Sequence, residues 1–483
     1  MKRILMASSE AVPFAKTGGL ADVVGSLPAA FDRDEYDVRV IMPKYGSIPK
    51  QYSDRMKFIK HINISLGWRN KFCGIFELVH DGVIYYFIDD EFYFGGTTLY
   101  SYIHEDIEKF AFFSKAIISV LPHIDFTPDI IHCNDWQTGL IPVMLNTQFR
   151  QNSFYRDIRT ILTIHNLRFQ GIWGLAETQD ATGLPESCFT SDKLEFFGDA
   201  NLLKGGIVYA DHITTVSKTY MEEIQTPYYG ERLDGLLRAR RNSLTGIVNG
   251  ISYTEYSPAT DSLINAKYNR RDFASRKREN KVALQRELGL RPDKKAFLIG
   301  IVSRLTDQKG LSLIEKVMER FIEQDMQLVV LGTGESGYED MFRHYAAEYP
   351  GKISANILFS NEIAHKIYAA SDAFLMPSLF EPCGLSQLIS MRYGSVPIVR
   401  ETGGLKDTVI PYNKYTGEGT GFSFKNYDAE DMWSAISYAR EIFDNRIAWN
   451  SIARHCMAQD FSWEKSARDY ALLYSKLLDC GYD

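Results

Sequence analysis

Short apolar runs recur along the whole chain, each bounded by polar residues or glycine. Arg3–Ala7, Val38–Met42, Val83–Ile88, Asp129–His132, Thr160–His165 and His212–Val216 form one series. Ala296–Val302, Gln327–Leu331, Ile357–Phe359, Ala373–Met376 and Val396–Val399 form a second. Many are rich in Ile and Val and apolar throughout, the pattern of strands buried on both faces. Between several of them lie stretches of helical period. Ile107–Leu121 places Phe110, Phe113, Ile117 and Leu121 on one face, and Leu311–Glu323 and Glu430–Phe443 read likewise. Ser462–Leu478 carries Trp463, Ala467, Tyr470, Leu473 and Tyr474 on a broad apolar face. Strands alternating with helices predict an α/β fold with parallel, doubly wound sheets.

Two such sheets are expected. Residues 17–24 read TGGLADVV and residues 402–409 read TGGLKDTV, an echo between two similar halves. After Asn249-Gly250, the turn Tyr256-Ser257-Pro258 and the charged stretch Asn269–Lys281 separate the last strand of one half from the first helix of the next. At 483 residues the chain admits about three domains of ordinary size or two large ones. The breaks favour two, at 1–255 and 256–460, with 461–483 as a C-terminal helix.

Composition narrows the class. The chain is 45% hydrophobic and 24% charged, which excludes a disordered chain, a collagen and a coiled coil. Its 54 Lys+Arg against 61 Asp+Glu give a net charge of −7, so no polyanion-binding surface and no nucleic-acid partner are expected. Cysteines 73, 133, 188, 383, 456 and 480 form no C-x-x-C pair and read as reduced, buried thiols. The apolar core of the N-terminus, Ile4–Ala7, is too short for a signal peptide, and no apolar run of about 18 residues predicts a membrane span. A cytoplasmic protein without a membrane partner is expected. Aromatics make up 13%, read mainly as core, with Tyr and Phe also able to stack on sugars or bases.

Four clusters carry candidate chemistry. Lys16-Thr17-Gly18-Gly19-Leu20 follows the first strand and enters a helix, whose N-terminal N–H groups suit phosphate; it also reads as a tight turn. No G-K-[ST] follows, so it is not a P-loop. Ser303–Gly310 puts Arg304 and Lys309 beyond a strand end, where open α/β sheets hold ligands and where fixed cations can stabilise a leaving diphosphate. A solvated loop is the competing reading. Pro377–Leu385 offers Glu381 before Pro382 and Gly384 at a helix start, either a capped helix or a site accepting sugar hydroxyls. The fourth cluster is His132-Cys133-Asn134-Asp135-Trp136 with His165-Asn166-Leu167, at the ends of two strands. His132 and His165 lack metal-ligand spacing, and no hydrolase signature is present.

In their order along nearly the whole chain, Lys16–Leu20, Asp135-Trp136, His165-Asn166-Leu167, Thr215-Val216-Ser217, Asn249-Gly250-Ile251, Arg304 with Lys309, Glu381–Leu385 and Thr402–Leu405 resemble the bacterial glycogen synthase and plant starch synthase family. The resemblance implies the GT-B fold, two Rossmann-like domains facing a deep cleft, with the C-terminal helix crossing back to the first. It implies glucose transfer from ADP-glucose to the 4-hydroxyl at the non-reducing end of an α-1,4-glucan, glycogen or a maltooligosaccharide primer. Configuration is retained, and neither metal nor cofactor is implied. Lacking a long N-terminal extension, the chain resembles the bacterial rather than the plastid branch.

Residue by residue, the resemblance assigns Lys16 and the Gly18-Gly19 backbone to the phosphates of the donor. Arg304 and Lys309 become the cations that stabilise leaving ADP, and Glu381 the carboxylate that holds the glucose hydroxyls. Cys383, Gly384 and Leu385 lie beside it, Thr402, Gly403 and Gly404 near the phosphates, and Phe359 against adenine. His165 contacts the donor glucose, Asn249 lies nearby, and Asp135, Asp22 and Trp136 belong to the acceptor side. Ser252, Gln137 and Leu379 depart from the family's usual Asp, His and Arg, and Ile389 stands where related transferases carry a second Glu. Two other readings are a UDP-glucose-dependent GT-B transferase acting on a small sugar and a catalytically silent glucan-binding paralogue. The sequence sets no oligomeric state.

Overall fold

Ile4 to Ala7 are shut off from solvent on both faces, as only a central strand covered by helices on both sides can be. In the computed structural model, which describes residues 1–101 and 105–479, this run centres a nine-stranded sheet. From edge to edge the strands are Leu244–Gly246, His212–Thr215, Arg159–Ile164, Ile130–Asn134, Lys2–Ala7, Tyr36–Pro43, Val83–Asp89, Arg69–His80 and Lys57–Leu66. The first seven pair in parallel, and the last two add an antiparallel hairpin. Residues of Lys57–Leu66 are largely exposed and polar at half of their positions, so a search for wholly apolar runs passes over them. A small antiparallel sheet joins Ile172–Gly174, Asp199–Asn201 and Glu195–Phe196.

The second series of strands forms a separate, wholly parallel six-stranded sheet. Its order is Ile353–Asn356, Met326–Leu331, Phe297–Val302, Ala373–Met376, Val396–Arg400, Phe422–Phe424. Counted along the chain this is third, second, first, fourth, fifth, sixth, the doubly wound order of the Rossmann fold. Helix Leu311–Glu323 covers it with Leu311, Ile314, Val317, Met318 and Phe321. Their three- and four-residue spacing makes one apolar stripe.

The chain divides into two units. One comprises Met1–Val216, Met221–Ile247 and the segment from Trp463 onward; the other comprises Ser217–Tyr220 and Val248–Ser462. The expected boundary at 255 lies a few residues beyond this division. Helix Trp463–Asp479 is anchored in the first unit. Tyr474 stacks on Phe31 at 5.6 Å and its hydroxyl meets His132 Nδ1 at 2.7 Å, while Tyr36 Oη donates to the Ala471 carbonyl at 3.1 Å.

Two expectations are corrected. The strand expected at 357–359 lies at Ile353–Asn356, because pairing with Met326–Leu331 ends at Asn356 and Leu358 and Phe359 are exposed. The charged stretch Asn269–Lys281 runs into a helix, Phe273–Glu287. Its inward face holds Phe273, Lys277, Asn280, Lys281, Leu284 and Gln285, so periodicity of apolar residues does not reveal it. Lys277 Nζ donates to the carbonyls of Ala369 and Tyr393, and Lys281 to Asp372 at 2.5 Å. Such pairing is what lets buried ammonium groups persist. Cysteines 73, 133, 188, 383 and 456 are buried and unpaired as expected; Cys480 lies outside the described residues. Among the described residues no helix is long and apolar enough to cross a membrane.

Candidate active site

In open α/β sheets ligands bind beyond the C-terminal strand ends, where the strand order reverses. In the six-stranded sheet that point lies between Phe297–Val302 and Ala373–Met376. The loops leaving these strands, Ser303–Gly310 and Pro377–Leu385, are therefore brought side by side. Gly310 makes the approach possible. Its φ is +72°, and a β-carbon there would lie 2.0 Å from the Pro377 carbonyl oxygen. Leu379 N–H donates to the Gln308 carbonyl at 2.9 Å, closing the contact.

Lys309 thereby reaches Glu381, with Nζ 2.6 Å from Oε2. Ser378 Oγ donates to the same oxygen at 3.1 Å, and Arg400 Nη1 to the Leu379 carbonyl at 2.6 Å. Glu381 is buried and paired with Lys309, whereas Arg304 is exposed. The second TGGL segment packs beneath this loop. Gly404 N–H donates to the carbonyls of Glu381 and Pro382, both at 3.1 Å. A β-carbon on Gly403 would lie 2.0 Å from the Glu381 carbonyl oxygen, and one on Gly404 2.1 Å from that of Cys383. Thr402 is fully buried before the short helix Gly403–Thr408.

Burial pushes the Cys383 thiol up to about 12, against the lowering effect of the Asn249 backbone, so it is held as a neutral thiol. Asn249 Oδ1 is buried with no hydrogen-bond partner among the described residues, a polar atom awaiting one. Gly384 has φ +73° and Leu385 precedes helix Ser386–Arg392. Phe359 stands 88% exposed in the loop after Ile353–Asn356, an open face for a planar ring.

The nine-stranded sheet has its own reversal, between Lys2–Ala7 and Ile130–Asn134. The loop after the first strand leads to Lys16, Gly18 and Gly19, at the start of helix Gly19–Ser26. Lys16 Nζ pairs with Asp22 Oδ1 at 2.7 Å. Burial raises the Asp22 carboxyl, and Lys16 opposes that rise. A β-carbon on Gly18 would meet nothing within 4 Å.

Asp135, after the second of these strands, has φ +57° and accepts the His165 N–H at 2.7 Å. Burial lifts its carboxyl to about 7, although the amides of His165 and Asn166 hold it down. Asn134 Nδ2 donates to the Ala7 carbonyl at 3.0 Å, so Asn134 Oδ1 faces His165 and takes its Nε2–H at 2.9 Å. His165 Nδ1 is then the unprotonated nitrogen, and burial drives the imidazole down to about 3.

Two residues of the fourth cluster are internal: His132, which carried no assigned role, and Trp136. His132 is fully enclosed, with Nε2 at 2.5 Å from Thr163 Oγ1 and Nδ1 on Tyr474. Trp136, read as an acceptor-side residue, is 7% exposed and packs on Phe110 and Trp173 at 5.1 and 5.4 Å. Apolar neighbours on both sides leave its ring little face for a sugar. Glu10 and Tyr100 adjoin the site residues and lie outside the four clusters, while Asn134 and Ser378 fall within them with no role assigned. Glu10 lies in the loop just beyond the central strand Lys2–Ala7, a position that could have flagged it.

Residues 3–239 match the family described as the starch synthase catalytic domain, and residues 285–455 that described as glycosyl transferases group 1. The chain is 62% identical to a glycogen synthase of Lachnospira eligens over 478 residues, covering 99% of this chain and 100% of that protein. It is 59% identical to one of Lachnoclostridium phytofermentans, with the same coverage. The solved catalytic domain of starch synthase IV from Arabidopsis thaliana, bound to ADP and acarbose, superposes with a TM-score of 0.90 at 31% identity, covering 99% of each chain. Both sheets thus fall in the GT-B class of paired Rossmann-like domains, and the chain belongs to the glycogen synthase and starch synthase family of glycosyltransferases.

Proposed function

We propose that the protein transfers glucose from ADP-glucose to the 4-hydroxyl at the non-reducing end of an α-1,4-glucan, with retention at the anomeric carbon and without a metal. The observation that carries this reading is the arrangement at the reversal point of the six-stranded sheet. Exposed Arg304 and the Lys309–Glu381 pair stand where a diphosphate and its sugar would lie. The ADP held by the solved starch synthase supports ADP as the leaving group.

Retention by double displacement requires a free carboxylate beneath the anomeric carbon. Glu381 is engaged by Lys309 and Ser378, which suits a sugar-holding group better than a nucleophile. The favoured course is same-face internal return. The bond from the anomeric carbon to the ADP oxygen lengthens first, leaving an oxocarbenium-like sugar. The acceptor 4-hydroxyl then bonds to that carbon from the same face and passes its proton to the departing phosphate. Arg304, Lys309 and Lys16 offset the growing phosphate charge. His165, neutral throughout, binds the donor glucose as a hydrogen-bonding group, and the Asp135 carboxyl holds the His165 backbone in place.

The test incubates the protein with labelled ADP-glucose and glycogen in the presence of a chelator, then follows label in precipitated glucan. Incorporation with ADP release supports the reading. Preference for UDP-glucose and a small sugar would install the alternative donor, and no incorporation from either would leave a glucan-binding protein. A trapped glucosyl-enzyme adduct would overturn internal return. The compartment proposed is the cytoplasm.

A further inference from the structure

The loop leaving the first central strand holds a carboxylate that the reading above does not use. Glu10 is 3% exposed, and its oxygens gather donors from Thr17 and from Tyr100. Thr17 N–H donates to Oε2, and Thr17 Oγ1 lies 3.0 and 3.1 Å from Oε1 and Oε2. Burial raises the Glu10 carboxyl, and the Thr17 amide and hydroxyl, with Tyr100 and the Gly18 amide behind them, oppose that rise. Tyr100 Oη donates to Oε1 at 3.1 Å and is itself 2.7 Å from Ser9 Oγ.

A flexible Lys-Thr-Gly-Gly segment would have to be ordered by any ligand it binds, and that ordering costs affinity. Here a buried acceptor fixes the peptide that follows Lys16 through the Thr17 N–H and holds the Thr17 hydroxyl as well, and hydrogen bonds to a carboxyl group are among the stronger ones. Beyond the fixed peptide, the amides of Gly19 and Leu20, in the first turn of an eight-residue helix, are without intrahelical acceptors. Gly18 opens onto free space, so nothing of the protein itself blocks approach there.

We propose that Glu10 is a positioning residue for the donor. Its carboxylate holds the Thr17–Gly18 backbone so that Lys16 and the amides of Gly19 and Leu20 face the diphosphate. The proposal rests on the reading of Lys16–Gly19 as the donor-phosphate loop. Glu10 touches no reacting atom in this role. Its removal thus weakens donor binding and leaves the chemical step and the glucan subsites in place.

The experiment measures ADP affinity by calorimetry, with KM for ADP-glucose, KM for glycogen and kcat, in Glu10→Gln, Thr17→Val and Lys16→Ala. Glutamine keeps the shape but removes the acid and places an amide NH2 donor where one acceptor oxygen stood. Glu10→Gln is expected to weaken ADP and raise donor KM roughly tenfold, with glycogen KM and kcat near the parent values. Thr17→Val, which loses only the hydroxyl contact, is expected to cost about threefold. If Lys16→Ala weakens ADP while Glu10→Gln binds it as well as the parent or more tightly, Glu10 does not position the loop, and the proposal alone fails. If Lys16→Ala leaves ADP binding unchanged, the loop is no phosphate site and both readings fall. A loss spread equally over both substrates and over thermal stability would mark Glu10 as a folding residue and overturn the proposal too.

Discussion

Arg304 and Lys309 carry the same charge in different surroundings. The Arg304 guanidinium is exposed, while Lys309 shares its charge with buried Glu381 at 2.6 Å. A cation aimed at a developing charge in such a site contributes about 3–4 kcal/mol, so Arg304→Ala and Lys309→Ala should each lower kcat roughly 100-fold or more. They should differ in stability. Removing Lys309 leaves an uncompensated buried carboxylate and should depress the thermal midpoint, whereas Arg304→Ala should not. Near-parental turnover of purified Arg304→Ala would sink the assignment. The two buried histidines give a pH prediction. His132 and His165 are each held near 3 by burial, against an ordinary value of 6.5. Their folded pKa is depressed, so the native state resists protonation. The stability this confers is complete above about 6.5 and is lost as pH falls from there toward 3. Imidazole resonances of His132 and His165 should stay those of neutral rings from pH 8 to pH 5 in NMR titrations. A midpoint inside that range would contradict the enclosed environment.

The two TGGL segments read alike but do different work as elements. In the second, Gly403 has φ +44° and both glycines lie against carbonyls of the Glu381 loop. In the first, Gly18 has extended backbone, φ −153°, and open space around its α-carbon. A side chain at Gly403 meets both left-handed strain and a backbone atom that cannot move cheaply. Gly403→Ala should therefore destabilise by about 2 kcal/mol or more and displace Glu381, lowering kcat. Gly18→Ala should leave the melting midpoint unchanged and act only on donor affinity. Paired thermal melts and ADP titrations of the two variants separate packing from binding; equal melting losses would refute the distinction. The same comparison shows how an internal echo in sequence can overstate equivalence. Tight packing of a helix start against a loop demands glycine, and so does close approach of a ligand.

At the level of the whole chain, each unit gathers its candidate site residues near the reversal point of its own sheet. No covalent crosslink holds either unit: the described cysteines are buried and unpaired. Burial raises the Cys73 thiol to about 12 and those of Cys133 and Cys456 above that range. Reductant should leave the thermal midpoint unchanged, and thiol reagents should label Cys73, Cys133, Cys188, Cys383 and Cys456 only on unfolding. Fast labelling of any of these five in the native protein would show that its site opens readily. Much of this organisation is legible in the chain. Apolar runs mark strands because a strand buried on both faces must be apolar at every position, and the helices Leu311–Glu323 and Trp463–Asp479 follow from a periodic stripe. Charged and glycine-rich residues at strand ends mark where ligand groups can gather. What escapes such reading is polar or non-local. Helix Phe273–Glu287 turns lysines inward, and hairpin Lys57–His80 keeps many polar positions at the sheet's edge. The sequence by itself determined the α/β class, the succession of strands and the chemical types at their ends, because hydrophobic periodicity is a local property of the chain. Only the tertiary structure decided that Lys309 pairs with Glu381, that Glu10 holds Thr17, that Trp136 turns inward and that Gly403 is sterically required. Charge pairing, ring burial and clearance around a β-carbon depend on which distant segments meet, and no local pattern encodes that meeting.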